Sequence, residues 1–325
     1  MSGYPYHAVL LDLIDPRIRN RVDELQKQFR SAEPFPHIIL DNFLDADYCR
    51  DLISSFPAFD PQRALNEYGE VGRKAVVQQL AEIGPSYALF DRLLSSREFL
   101  SLVGSITGIA NLLYDPDYVG GGTHENLSGQ GLDAHVDFNY HPKTRAHRRL
   151  NLLLYLNPEW KPEWGGELQL HSNPWLPPHE DRVTTVLPIA NRCVLFETSE
   201  RSWHGFRNIV VPNGGISRRS IAVYFYTADR PAAEVAPQHA TVYVHPPLPA
   251  HLDVGYSLQE DDVETIRDLL DRRDRHMHFL YDREKAFSAT IDGLSATLER
   301  TEQSPTFRFA RLMTWPLRRL RDLLR

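Results

Sequence analysis

Apolar and polar residues alternate along this chain with three different rhythms. From about Asp15 to Gly108 the spacing is mostly helical. Asp45 stands before Tyr48, Cys49, Leu52 and Ile53, an acidic N-cap ahead of an amphipathic stripe. Further helices are predicted around Val76 to Ile83 and Tyr87 to Leu102, with one short β-rich run at Pro36-His37-Ile38-Ile39-Leu40. From about Asn111 to His245 the pattern changes to short β-rich runs broken by Gly, Pro and Asn. Strands are predicted near Leu132–Phe138, Arg149–Leu156, Gly166–His171, Val183–Leu187, Arg192–Glu197, Ser202–Arg207, Arg218–Thr227 and Ala240–Val244. Beyond Gln259 the apolar positions fall in steps of three and four. The divisions expected are 1–110, a helical support; 111–256, a β core; 257–303, a long helix; and 304–325, a basic tail.

Short strands without intervening helices favour a jelly roll over an α/β sheet, so the fold class is α+β. The two sheets of a jelly roll enclose a cavity lined by alternate residues of each strand. His135 and Asp137 are two apart, and a strand therefore places both side chains on one face. His204 follows later in Trp203-His204-Gly205, and Arg218 opens the strand Arg218-Arg219-Ser220-Ile221-Ala222-Val223. Two histidines and a carboxylate are the ligand set of a facial-triad Fe(II) site, which leaves positions open for a co-substrate and O2. An arginine in a strand shortly after the second histidine is suited to a dicarboxylate, and the combination predicts an oxygenase.

Composition narrows the setting. The chain has 325 residues, 42% of them hydrophobic, enough to bury a sizeable core. Its net charge of -7 argues against a nucleic-acid binder that works through overall positive charge. The two cysteines, Cys49 and Cys193, sit beside apolar residues and are expected as buried free thiols. No apolar run long enough to span a bilayer occurs, so a cytoplasmic protein is expected, peripheral at the inner membrane face if attached at all.

The order His135, Asp137, His204, Arg218, with Tyr155-Leu156-Asn157 and Gly165-Gly166 between them, resembles the prolyl 4-hydroxylase-like branch of the Fe(II)/2-oxoglutarate dioxygenases. The resemblance runs from Pro34-Phe35-Pro36-His37 to the end of the Arg218 strand. It implies a double-stranded β-helix with helices packed on one side, and His135, Asp137 and His204 as iron ligands. It implies that Arg218 holds the far carboxylate of 2-oxoglutarate, with O2 as co-substrate and ascorbate as a stimulating reductant. Arg219 is expected on the opposite face in a surface salt bridge. Tyr155 matches a tyrosine that in relatives helps hold the same carboxylate; as a bare residue it is equally a core aromatic. The tyrosine usual before the first iron ligand is missing, and His124 and Glu125, in a glycine-rich stretch read as a loop, stand where relatives make co-substrate or substrate contacts. His124 is taken as the co-substrate candidate. His141, His147, His171 and His179 are read as surface histidines, with Asn139 and His141 open to substrate at the cavity mouth.

In the last region, Val263, Ile266, Leu270, Met277, Leu280, Phe287, Ile291, Leu294 and Leu298 form an a/d heptad pattern if Arg273 and Glu284 fill the two remaining positions. This predicts a coiled coil and a homo-oligomer through 263–298, or else one long helix packed on the domain. After Ser304-Pro305, six arginines interleave with Phe, Leu, Met and Trp, the composition of a helix in a membrane interface, of a partner-binding helix or of a disordered tail. The tail is similar in composition to those of some bacterial enzymes that build surface polysaccharides. Three functions therefore compete. They are hydroxylation of a prolyl or other amino-acid residue with release of succinate and CO2, the same chemistry on a sugar or lipid-linked glycan, and a non-enzymatic cupin-like binding module. Peptide, amino acid and glycan are the substrates in view.

Overall fold

A computed structural model describes residues 10–63, 74–212, 215–310 and 313. It divides into two compact units, the first running to Val244 and the second starting at His245.

In the first unit, helices pack on one face of a sheet; among the described residues they are α1 (Pro16–Arg19), α2 (Val22–Ser31), α3 (Ala46–Ser54), α4 (Leu80–Ile83), α5 (Pro85–Ser95) and α6 (Arg97–Thr107). The predicted Asp45 cap is present, its carboxylate accepting from the backbone N–H groups of Asp47 and Tyr48 at the start of α3. The predicted helix over Tyr87 to Leu102 is two helices, because Ser96 takes an extended conformation and its hydroxyl caps α6 by accepting from Phe99 N. The stretch read as a helix from Val76 to Ile83 begins instead as strand.

The strands among the described residues are β1 (His37–Leu40), β2 (Lys74–Val77), β3 (Leu113–Tyr114), β4 (Gly122–Asn126), β5 (Leu132–Val136), β6 (His147–Tyr155), β7 (Leu168–His171), β8 (Val183–Val186), β9 (Cys193–Glu197), β10 (Trp203–Phe206), β11 (Arg218–Thr227) and β12 (Val242–Val244). They form two antiparallel sheets, one ordered β1-β9-β6-β11-β4-β2 with β3 also on β11, the other β12-β5-β10-β7-β8. All eight predicted strands are present. The stretch from Gly120 to Gln130, read as a loop, contains β4, which lies between β2 and β11.

Alternation along β6, β9 and β11 separates two cores. Leu150, Leu152, Leu154, Cys193, Leu195, Ile221, Val223 and Phe225 join the buried residues of the helices. The opposite parity turns Tyr155, Val194 and Phe196 toward Leu168, Leu170 and Val186 of the smaller sheet. The candidate chemistry lies between this second face and the smaller sheet. Cys49 and Cys193 are free and buried, and burial pushes the Cys49 thiol up to about 11.

The second unit is dominated by α7 (Glu260–Gln303), 44 residues long and opened by a capping box between Gln259 and Asp262. Among the described residues no helix is long and apolar enough to cross a membrane. Most of the basic tail, 311–312 and 314–325, lies outside the described residues, as do 1–9 at the other end.

Candidate active site

β5 and β10 are neighbours, and His135 stands directly opposite His204. Their rings are 4.2 Å apart. Asp137 follows just past the end of β5, with Oδ2 3.5 Å from His204 Nε2 and Oδ1 3.8 Å from His135 Nε2. The three predicted ligands therefore gather their donor atoms around one point, all within 4.8 Å of one another.

The tautomers are set by the backbone. His135 Nδ1 faces the Asp133 carbonyl at 3.0 Å and His204 Nδ1 faces the Ser202 carbonyl at 2.9 Å. A carbonyl only accepts, so each Nδ1 carries the proton and each Nε2 turns a lone pair to the shared point. Burial, then the neighbouring His204, push His135 down to about 4. Burial also lowers His204. Burial alone would raise the Asp137 carboxyl, but Arg148, then His204 and His135, hold it well below the usual range. At neutral pH the donors are two neutral imidazoles and a carboxylate, a set that fits Fe(II).

Arg148 was not found by sequence reasoning. It is 1% exposed, and its Nη2 lies 2.9 Å from Asp137 Oδ2. Asn151 Nδ2 donates to the same oxygen at 2.8 Å and accepts from Arg148 through Oδ1. Between them they occupy Oδ2 and leave Oδ1 for an ion. Simple alternation would put Arg148 on the helix side with Leu150. A bulge prevents this: Phe225 pairs with Leu150 but Tyr226 with Arg148, so the extra residue returns Arg148 to the Asn151 face. There it stacks 3.5 Å from the Tyr224 ring centroid.

Arg218 opens β11 on the inner face and is 4% exposed. Its Nε donates to the Gly166 carbonyl at 2.7 Å and its Nη2 to the Tyr155 hydroxyl at 3.3 Å. Both partners are neutral, and among the described residues no carboxylate reaches this buried guanidinium. Gly166 makes room for it: at φ 70°, a Cβ there would meet Trp160 at 3.0 Å and Arg218 Cδ at 3.2 Å. Gly165 is as constrained, since its Cβ would lie 2.0 Å from the Asn208 carbonyl oxygen.

Ser220 pairs with Tyr155 on one side and His124 on the other, so all three share the inner face. His124 Nε2 is shut off from solvent and has no hydrogen-bond partner among the described residues. Burial, then Lys74 and Arg218, keep this imidazole neutral. Glu125 points the other way, accepting from Ser217 Oγ at 2.5 Å and Arg219 Nε at 3.0 Å. Arg219 is thus on the expected face, but its ion pair is to a buried carboxylate rather than at the surface.

Two residues expected at the cavity mouth are committed elsewhere. Asn139 clamps the segment before β12, donating to Pro237 O and accepting from His239 N. His141 is buried rather than superficial, its Nδ1 accepting from the backbone of Lys143 and Thr144 and its Nε2 3.4 Å from Asp115. His171 is likewise tied down, to Asp181 at 2.7 Å. The β12–β5 pairing adds a residue with no sequence signal: Tyr243 lies opposite His135 with its ring 5.2 Å away.

Residues 122–226 match the family model of the 2OG-Fe(II) oxygenase superfamily. No curated protein matches the chain. Solved structures similar to it include a prolyl hydroxylase from Trichoplax adhaerens in complex with a hypoxia inducible factor peptide fragment, 19% identical, covering 65% of this chain and 91% of that one with a TM-score of 0.46. Another is a prolyl 4-hydroxylase from Phytophthora capsici, 20% identical, covering 84% and 79% with a TM-score of 0.46. A third is a prolyl-4-hydroxylase from Pseudomonas putida, 19% identical, covering 64% and 99% with a TM-score of 0.42.

Proposed function

We propose that this chain, a 2OG-Fe(II) oxygenase through its residues 122–226, hydroxylates a C–H bond of an amino-acid residue, prolyl in the first instance. Bound Fe(II), 2-oxoglutarate and O2 supply the oxidising chemistry, with release of succinate and CO2. The observation that carries the reaction class is the pairing of two features between the two sheets: three converging metal donors on and beside β5 and β10, and, on β11 of the facing sheet, a buried arginine with only neutral hydrogen-bond partners among the described residues. Support for an amino-acid residue as substrate comes from the motif set, whose order and spacing resemble prolyl 4-hydroxylase-like enzymes. The same resemblance supports reading the two sheets as a double-stranded β-helix.

In this reading His135, His204 and Asp137 hold the metal. Arg148 and Asn151 keep Asp137 ionised and fixed in rotation. Arg218 binds the far carboxylate of 2-oxoglutarate through its planar fork, which a lysine does not reproduce. The Tyr155 hydroxyl donates to the same carboxylate while accepting from Arg218. His124, neutral and with a buried ring nitrogen to satisfy, lines the co-substrate end of the cavity. Phe196, its ring centroid 4.7 Å from that of His204, packs with Val194 and Leu153 between the sheets, apolar surface that excludes water from the metal side. Tyr243 flanks the metal side through its ring beside His135.

Fe(II)-dependent succinate formation, followed by mass spectrometry of candidate peptides for a gain of one oxygen, tests this assignment. Succinate with no oxygen gained by any prolyl or other amino-acid acceptor, but gained by a glycan, would move the substrate and keep the chemistry.

A further inference from the structure

The second unit carries a surface that the reaction does not use. From Leu270 to Leu298 every apolar seam residue of α7 is between 44% and 68% exposed. Val263 and Ile266, at the start of the same stripe, are half-buried. An apolar stripe interrupted at only two positions on a helix of this length needs a partner. The steps of three and four give that partner as another helix in a left-handed coiled coil, with Val263 at position a and Ile266 at d.

The two charged seam residues identify the partner and its direction. Arg273 occupies a d position and Glu284 an a position, both exposed and neither ion-paired among the described residues. In a parallel pair of identical helices a meets a and d meets d. That arrangement buries Arg273 against Arg273 and Glu284 against Glu284, and like charges face to face at an interface cost several kcal/mol. In an antiparallel pair each a residue faces a d residue of the other helix. Placing the two-fold axis between residues 278 and 279 sets Arg273 opposite Glu284 on both sides of the axis. The same register sets Met277 opposite Leu280, and Leu270 opposite Phe287. Further out, Ile266 meets Ile291 and Val263 meets Leu294. Sliding by one heptad either way leaves Arg273 against Ile291 or Met277, and Glu284 against Leu280 or Ile266, so each charge is buried without a partner.

We propose that α7 pairs with α7 of a second copy of this chain, antiparallel, in the register that joins Arg273 to Glu284. The occupant follows from this self-complementarity of charge, since every other seam position is apolar. The polar layer sets direction and register, the role polar seam residues have in coiled coils. The inference is independent of the reaction assigned to the first unit.

The test uses the full chain. Its mass in solution is expected at twice 37.4 kDa. Co-expressed Leu270→Cys and Phe287→Cys chains should join through a short thiol cross-linker, whereas neither variant alone should; Cys49 and Cys193 are buried and give little background. Arg273→Glu or Glu284→Arg alone should weaken the dimer roughly tenfold or more, and the double exchange should restore it. A mass of 37.4 kDa for the native chain, cross-linking of either cysteine variant by itself, or a double exchange as weak as the singles would overturn the proposal. These substitutions are exposed on the helix, and loss of fold is checked by the circular dichroism of the same samples.

Discussion

Replacing Arg218 by methionine separates a ligand-binding arginine from a structural one, because the two roles predict opposite balances. Arg218 is buried with hydrogen bonds to the Gly166 carbonyl and the Tyr155 hydroxyl and, among the described residues, no anionic partner. Without 2-oxoglutarate, the substitution removes those two bonds and also relieves the desolvation of an uncompensated cation. The terms offset, and the ligand-free stability should change by less than about 2 kcal/mol in either direction. With 2-oxoglutarate the variant loses a charge-assisted, two-pronged contact to carboxylate. That is worth roughly 2–4 kcal/mol, or about 30- to 1000-fold in the co-substrate requirement. Two assays read this: chemical denaturation of the ligand-free protein, and the thermal shift on titrating 2-oxoglutarate with a non-oxidising divalent metal. A fall of about 3–5 kcal/mol in ligand-free stability with unchanged 2-oxoglutarate affinity would refute the reasoning, since that is the signature of a broken structural ion pair.

Three further outcomes are expected. Asn151→Leu removes one of the two donors on Asp137 Oδ2 and the acceptor of Arg148, so metal affinity should fall about 10- to 100-fold in an equilibrium titration. Gly166→Ala forces a side chain into a left-handed position already crowded by Trp160 and Arg218, and should cost about 2 kcal/mol or more while raising the 2-oxoglutarate requirement. His135 is depressed to about 4 in the fold. The metal-free protein should therefore keep full stability above the ordinary histidine range and lose at most about 3 kcal/mol through this group as pH falls from 6.5 toward 4. A midpoint of denaturation that stays level or rises over that interval would contradict the neutral, buried assignment.

His135 and Asp137 were legible as a pair because period-two alternation puts them on one face, whereas His204 and Arg218 were placed by the order of motifs and the family it resembles. His135 and Asp137 needed only a strand, and Gly165-Gly166 needed only a tight turn before one. Arg148 was hidden because a bulge breaks the alternation rule at the one point where it matters, and a bulge depends on the pairing partner. β4 was hidden for a different reason. Its residues Gly-Thr-His-Glu-Asn carry no apolar alternation, and its polar groups are satisfied by partners the strand pattern does not announce, Ser217 and Arg219 for Glu125 and, four residues on, Gln130 for Asn126. Tyr243 reaches the metal side only through the register of β12 on β5, a contact made across more than a hundred residues of chain. The stripe on α7 was legible in full as a pattern, and the structure adds that from Leu270 onward its apolar members are exposed.

The most direct test of the central claim is conversion of 2-oxoglutarate to succinate by the purified full chain, with Fe(II), O2 and ascorbate, beside an Asp137→Ala variant of matched fold. The account predicts Fe(II)-dependent succinate from the native chain and background from the variant. Equal succinate from both would contradict it, as would conversion by the native chain that ignores removal of the metal.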